Sequence, residues 1–482
     1  MTLLAPRRNL PLVLCLAAAL SACNGDDNGV DPIPPGDADI GANITANRTL
    51  FADTTYTLTD FVHVTDGATL TIQPGTEIRG QINSALFVTR GGKIVADGRA
   101  DAPIVFTSDQ PVGDRRPGDW GGLIIIGRGI INRTGVVELE GTGESPSNPS
   151  IDYAGGTDNA DSSGVLRYVR IEFAGFAPAP NEELNALTLA GVGSRTKIEF
   201  VQTLAGLDDS FEWFGGAVDG KFLLSVESGD DHFDASEGYV GRNQFLIAYQ
   251  DTILPANPQG GGASSDPQGF EVDNCGSASG SGCGQPGGPQ GYNTTPLTIP
   301  LFANFTLIGT GADGTIQNNS GGIGMVFRRG AGGYYVNGIV ARWLRAALSF
   351  RDAETQTRFN DGNLVVRNIS VIETGTAGTN LPLFEGGSGR FTIDANANNV
   401  VAEPGTVSAA SVFSNLVELP SATALDFSLT AGAAPRTGGT GAFTGALATK
   451  AGTFAAGTTF RGAWDPSGAV KWWTGWTNFA IE

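Results

Sequence analysis

Carboxylates recur in this chain at a fixed interval. The run Leu207-Asp208-Asp209-Ser210-Phe211-Glu212 is followed, at an offset of 22 from 208 to 230, by Gly229-Asp230-Asp231-His232-Phe233-Asp234. That offset is about one coil of a right-handed parallel β-helix, where equivalent positions of neighbouring coils stack at roughly 4.8 Å. The register puts Asp208 with Asp230, Asp209 with Asp231 and Glu212 with Asp234. Two like charges so placed repel by about 3.5 kcal/mol at an effective dielectric of roughly 20. A row of them therefore calls for a cation, a basic partner or raised pKa values. Oxygen ligands at this density suit a hard cation, and Ca²⁺ takes about six to eight oxygens in flexible geometry. The expected metal ligands are Asp208, Asp209, Glu212, Asp230, Asp231 and Asp234.

Aligning the aromatics extends the ladder. Phe211, Phe233 and Phe270 form one column, turned inward, and strand alternation sends Glu212, Asp234 and Glu271 outward. Asp273 follows just downstream. Glu271, Asp273, His232 and Arg242 are the expected ligand-binding companions, with His232 offering a nitrogen for a mixed transition-metal site. His63 reads as a structural side chain. The plainer alternative is internal neutralisation by Lys221, Arg242, Arg328 or Arg329.

These side chains need a scaffold of short strands. Gly occurs 70 times, helical periodicity is almost absent, and brief runs such as Thr69-Leu70-Thr71-Ile72 and Ala85-Leu86-Phe87-Val88 alternate with Gly/Asn/Asp turns. The reading is an all-β chain, a solenoid of three short sheets. Ile171-Glu172-Phe173 and Ile198-Glu199-Phe200 read as equivalents in adjacent coils. Residues 251–296, rich in Gly, Pro, Ser and Gln, read as one long inserted turn. Residues 400–482 read as C-terminal coils and a cap, with Trp464, Trp472, Trp473 and Trp476 covering the open apolar end and, as a second reading, forming a carbohydrate platform.

Several blocks carry a resemblance: Leu70-Thr71-Ile72-Gln73-Pro74-Gly75-Thr76, Gly92-Lys93-Ile94-Val95-Ala96-Asp97-Gly98, Ala102-Pro103-Ile104-Val105-Phe106-Thr107 and Asp119-Trp120-Gly121-Gly122-Leu123. They resemble the opening coils of pectin-lyase-like right-handed parallel β-helix proteins and, more narrowly, bacterial surface lipoproteins of that fold, a group without firm activity. The resemblance implies a site on stacked turns. In β-helix polysaccharide lyases, Ca²⁺ on stacked carboxylates neutralises a uronate while Arg or Lys takes the neighbouring proton. Related hydrolases use paired Asp residues as acid and base. The local motifs that mark either enzyme group are not found here. The expectation is a calcium-dependent, glycan-directed binding or adhesion protein, with a polysaccharide lyase or glycoside hydrolase as the alternative and a structural envelope protein as a second one.

The termini give an address. Arg7 and Arg8, an apolar run from Leu10 to Leu20 and then Leu20-Ser21-Ala22-Cys23 resemble a lipoprotein signal over residues 1–22, with Cys23 as the lipidated N-terminus. Residues 23–43 read as a disordered acidic tether and 44–482 as one folded domain. Cys15 leaves with the signal, so Cys275 and Cys283 are expected to form a disulfide in an oxidising compartment. The expected location is the outer membrane, lipid-anchored, on its periplasmic face or at the cell surface. A glycan or an outer-membrane transporter is the expected partner. A formal charge of −20 argues against nucleic acid.

Overall fold

The computed structural model describes residues 36–143, 145–180, 182–264, 267–276, 283, 288–311, 322–375, 383–416 and 425–481. Among them the chain winds as a right-handed parallel β-helix. Early coils carry three strands each, for example Thr54–Leu58, Phe61–Val64 and Thr69–Ile72, then Glu77–Gly80, Ala85–Val88 and Lys93–Asp97. The turn at Pro74-Gly75-Thr76 shows why coils close so tightly. Gly75 adopts φ +89°, open to a residue without Cβ, and the Thr76 hydroxyl donates to the Gln73 carbonyl at 2.8 Å.

Three sheets become two. Strand Gly164–Glu172 pairs in parallel with both Lys93–Asp97 and Ile104–Ser108, which fuses two of the three into a 15-stranded sheet; the third is 10-stranded. We call these the large and the small sheet. The fused strands bend at one residue per coil with positive φ: Tyr168, Phe200, Phe222, Phe245, Asn304, Asn337, Asn368 and Asn399. Asparagine tolerates this left-handed conformation, whereas for bulky side chains it costs on the order of 1–3 kcal/mol each. The upper rings recover part of that by stacking at 4.4, 4.5 and 5.2 Å, each pair contributing about 0.5–1.5 kcal/mol. Lower in the column, Asn399 donates to Asn368 at 2.8 Å.

The small sheet presents the acidic ladder. Phe211–Phe214 pairs with Phe233–Ser236, which pairs with Gln268–Asp273, in the register Phe211↔Phe233↔Phe270 and Glu212↔Asp234↔Glu271. The phenylalanines are fully buried and pack at 5.2 and 5.6 Å. This agrees with the alignment read from the sequence.

Five expectations are corrected. The three sheets are two, because the corner residue lets consecutive strands share one hydrogen-bonded ladder. Ile198 pairs with Leu166, and Ile171 with Thr203; the similarity of the two Ile-Glu-Phe triplets misled, since each strand is long enough to offer two alignments. Residues 251–296 are not one inserted turn, because strand Gln268–Asp273 within them is the ladder's third rung. The solenoid starts before residue 44: Gly36–Ile40 pairs with Thr54–Leu58. Parallel pairing uses main-chain groups, so an acidic segment can serve, and charge suits an exposed edge.

The tryptophans, finally, close the flank of the solenoid and not its open end. The C-terminal segment runs back across the large sheet as a strap. Near the last coils, Arg461 Nη1 donates to Ser370 Oγ at 2.7 Å. Further back, Lys221 Nζ donates to the Phe454 carbonyl at 3.0 Å, and the Asn478 N–H to Gln202 Oε1 at 2.8 Å. Trp476 is buried, 5.7 Å from the Tyr168 ring. A tail of aromatics finds more apolar partners along the ring column than one terminal coil offers.

Candidate functional site

Two turns and three strands position the ladder. Asp208-Asp209 and Asp230-Asp231 sit in the turns that lead into strands Phe211–Phe214 and Phe233–Ser236. One oxygen of each inner aspartate is used by the fold. The Asp231 N–H donates to Asp209 Oδ1 at 2.8 Å, and the Gln268 N–H to Asp231 Oδ1 at 2.6 Å. The carboxylates thus climb the coils by gripping the next main chain, which fixes their spacing. Outward they line a groove of about 380 Å³ with nine carboxylate side chains, Ser264 and one arginine, Arg328.

Oxygens come close enough to share an ion. Among the described residues, Asp208, Asp209 and Asp230 bring theirs within 4.8 Å of one another, and so do Asp209, Asp231 and Asp234. Two oxygens on one Ca²⁺ at about 2.3–2.6 Å lie at most about 5 Å apart, so both triads fit that ion's reach. Asp234 Oδ1 is buried and has no hydrogen-bond partner. An acceptor in that condition is costly unless something binds it.

Electrostatics shows the same lack of compensation. Burial first, and then the Asp230 charge, pushes the Asp208 carboxyl well above its usual range. Burial and Asp231 do this to Asp209, burial and Asp234 to Glu212, and burial and Glu271 to both Asp231 and Asp234. Glu271 is raised to about 8 by burial and Asp273, against the pull of Arg328. Glu140 is raised to about 7 by burial and Glu183, but its side chain is exposed, so Glu271 carries more weight. Arg328 is already committed: it pairs with Glu271 and, at 2.9 Å, with Asp273. Burial opposes its charge, yet Asp273 and Glu271 outweigh burial and keep the guanidinium protonated.

A family model described as a pectate-lyase-like β-helix domain matches residues 42–408. The chain belongs to the pectate-lyase-like β-helix family. Neither curated proteins nor solved structures give a match. In this β-helix domain the six expected metal ligands all line one groove, with Glu271 beside them. Asp273 instead bridges Arg328 and Arg329 at the groove's end.

Two companions are elsewhere. His232 turns into the solenoid, its Nδ1 2.6 Å from Ser225 Oγ and its ring edge-on to Trp343. Burial lowers its pKa to about 3, so it stays neutral and does not face the groove. His232 stands in the bend that precedes strand Phe233–Ser236, where strand alternation does not apply, so it turns inward although Phe233 does too. Arg242 lies on the large sheet, paired with Asp219 and 5.1 Å from the Phe454 ring centroid, and Lys221 is beside it. Neither can clamp a ligand in the acidic groove. His63 is buried against Phe87, as expected. The Cys275–Cys283 disulfide is present. Cys23, Cys15 and the signal lie outside the described residues.

Sequence reasoning missed Glu140 and Glu183. Both lie on irregular segments between strands, so no stacking interval marks them; the only sign is acidity in segments that precede the ladder.

Proposed function

We propose that the protein is a lipid-anchored envelope binding protein whose acidic groove holds Ca²⁺ and, through it, an anionic glycan. The observation that carries this reading is the imbalance of the groove: nine carboxylates face one arginine that is already paired. Asp208, Asp209, Asp230, Asp231 and Asp234 would hold the ion, since their oxygens gather in two triads within 4.8 Å. A bound Ca²⁺ offsets the mutual repulsion and leaves coordination positions that a uronate carboxylate can fill. The acidic surface then repels such a glycan only when the metal is absent. The outer-membrane address and a transporter partner belong to the same proposal, supported by the signal-like N-terminus and Cys23.

A second reading rests on one observation. Glu212 and Asp234 are neighbours in one register, and burial together with nearby charge pushes both carboxyls well up, an arrangement that can supply a general acid for glycoside hydrolysis. A lyase is less favoured, because Arg328 is kept protonated and cannot act as a base.

The test is the melting temperature of the full-length protein after chelation and then with Ca²⁺, Mg²⁺, Zn²⁺ or Cu²⁺, beside an Asp230→Asn/Asp231→Asn variant. A ligand that binds only the native state stabilises it by about 2.7 kcal/mol at a hundredfold excess over Kd. A saturable rise with Ca²⁺ that the variant loses is the expected result. No shift with any ion refutes the metal reading. Release of reducing ends from an acidic polysaccharide, with no unsaturated uronate at the new non-reducing ends, favours the hydrolase.

A further inference from the structure

A second cavity, of about 440 Å³, lies where the strap crosses the corner column of the large sheet. Its walls are Tyr168, Phe200, Phe222 and Phe245 from the column and Trp464, Trp472 and Trp476 from the strap. Ring residues are chosen there against the backbone's preference. All eight corner residues share positive φ, and the four downstream are asparagines, which suit it. Only the four beneath the cavity are aromatic. A set of strained positions gathered at one cavity is grounds for a functional hypothesis. The rings keep partial exposure, and Val470 on the cavity wall is 79% exposed, so the strap leaves apolar surface open.

The walls also restrict the ligand's chemistry. Lys471, the cation of the lining, is held by Asp426 at 2.5 Å, which leaves no free positive charge for an anion. Phe200 and Phe222 are stacked on both faces, so their ring edges border the space. An alkyl chain would set the polar lining residues Thr474 and Asp465 against hydrocarbon, which is costly. A ligand with an apolar face and a rim of hydroxyls meets both demands, and the volume lies within the range of small-ligand sites.

We propose that this cavity binds an uncharged oligosaccharide, independently of the acidic groove and without metal. The walls are apolar and ring-lined, the few polar groups can serve hydroxyls, and the site is formed on a different sheet from the carboxylate ladder.

The experiment titrates full-length protein, in chelator, with cellohexaose, maltohexaose and mannohexaose, followed by tryptophan fluorescence and calorimetry. Sodium palmitate and a hexagalacturonate serve as alkyl and anionic probes. The expected result is saturable binding of at least one uncharged hexasaccharide, weakened at least tenfold by Phe200→Asn or Phe222→Asn and unaffected by Asp230→Asn/Asp231→Asn. Asparagine is the residue this column uses downstream, so the corner conformation is retained. Should those variants misfold, Val470→Arg on the exposed wall tests the same cavity and is expected to weaken binding. The proposal is overturned if no hexasaccharide saturates, if palmitate or the galacturonate binds in its place, or if folded variants bind like the parent.

Discussion

The small sheet treats buried acid in two opposite ways along one column. The register runs Thr188, Glu212, Asp234, Glu271, Val326, Ser349. At its lower end Ser349 and three arginines, Arg345, Arg351 and Arg390, surround one carboxylate, Glu385. Burial would raise the Glu385 carboxyl, but Ser349, Arg390, Arg351 and Arg345 together bring it below its usual range. Two coils up, the ratio is inverted. Nine carboxylates share one arginine, and those with resolved shifts move upward. The chain can therefore neutralise a buried acid where the acid only has to hold the fold. That it does not do so in the groove is what supports the proposal of a bound cation there.

The comparison breaks most severely at Glu385. Replacing it by Ala strands three arginines around a buried gap, and we expect a loss of about 3–5 kcal/mol, read as a fall in unfolding midpoint. The same truncation at Asp234 should cost far less or stabilise the metal-free protein, because it removes repulsion.

Next in size is the response to pH. Groove carboxyls with raised folded pKa values bind protons that the unfolded chain gives up. Their contribution is full below the unfolded value of about 4.5 and is lost as pH rises through about 8, the Glu271 value. Glu385 runs the other way, losing its contribution as pH falls through its lowered pKa. Melting in chelator from about pH 4 to about pH 9 should show stability falling on the alkaline side by a few kcal/mol, and Ca²⁺ should flatten that fall. A remainder should persist from Glu227, raised to about 8 by burial though it accepts the Asp251 and Thr252 N–H groups. A slope that ignores Ca²⁺ would mean the groove is not its source.

A smaller effect follows from Asp234→Asn. We expect a gain of about 1 kcal/mol without metal, from relief of like charge, and at least a tenfold rise in Ca²⁺ midpoint, measured by calorimetry. The smallest effect on the groove is that of Arg242→Ala, which should leave the Ca²⁺ midpoint unchanged, because Arg242 lies on the large sheet, paired with Asp219.

How much of this was legible depended on stacking. Asp208 with Asp230 and Glu212 with Asp234 could be paired because the coil between them is short and both runs carry a phenylalanine at the same place. Glu271 followed from Phe270. Glu140 and Glu183 were hidden, since irregular segments have no interval to read. His232 was misplaced because its neighbours' acidity suggested a ligand, whereas it sits in the bend before strand Phe233–Ser236 and turns inward to Ser225, an orientation no alternation announces. The strap escaped notice for another reason: its partners Tyr168, Phe200 and Phe222 are more than 240 residues away in sequence, and no local pattern declares such a contact. The two aligned Ile-Glu-Phe triplets show that a motif can agree while the register does not.

The corner column has a consequence for how such a molecule grows. Its residues hold one backbone conformation while the chain between them varies from 22 residues, Phe200 to Phe222, to 59, Phe245 to Asn304. Length is thus absorbed in the turns, and the corner behaves as an indexing peg. Duplicating the 22-residue unit that begins at Asp208 would lengthen the protein by about 4.8 Å and add one more acidic rung in register. The row of carboxylates in this architecture can be extended by copying, with no new fold to invent.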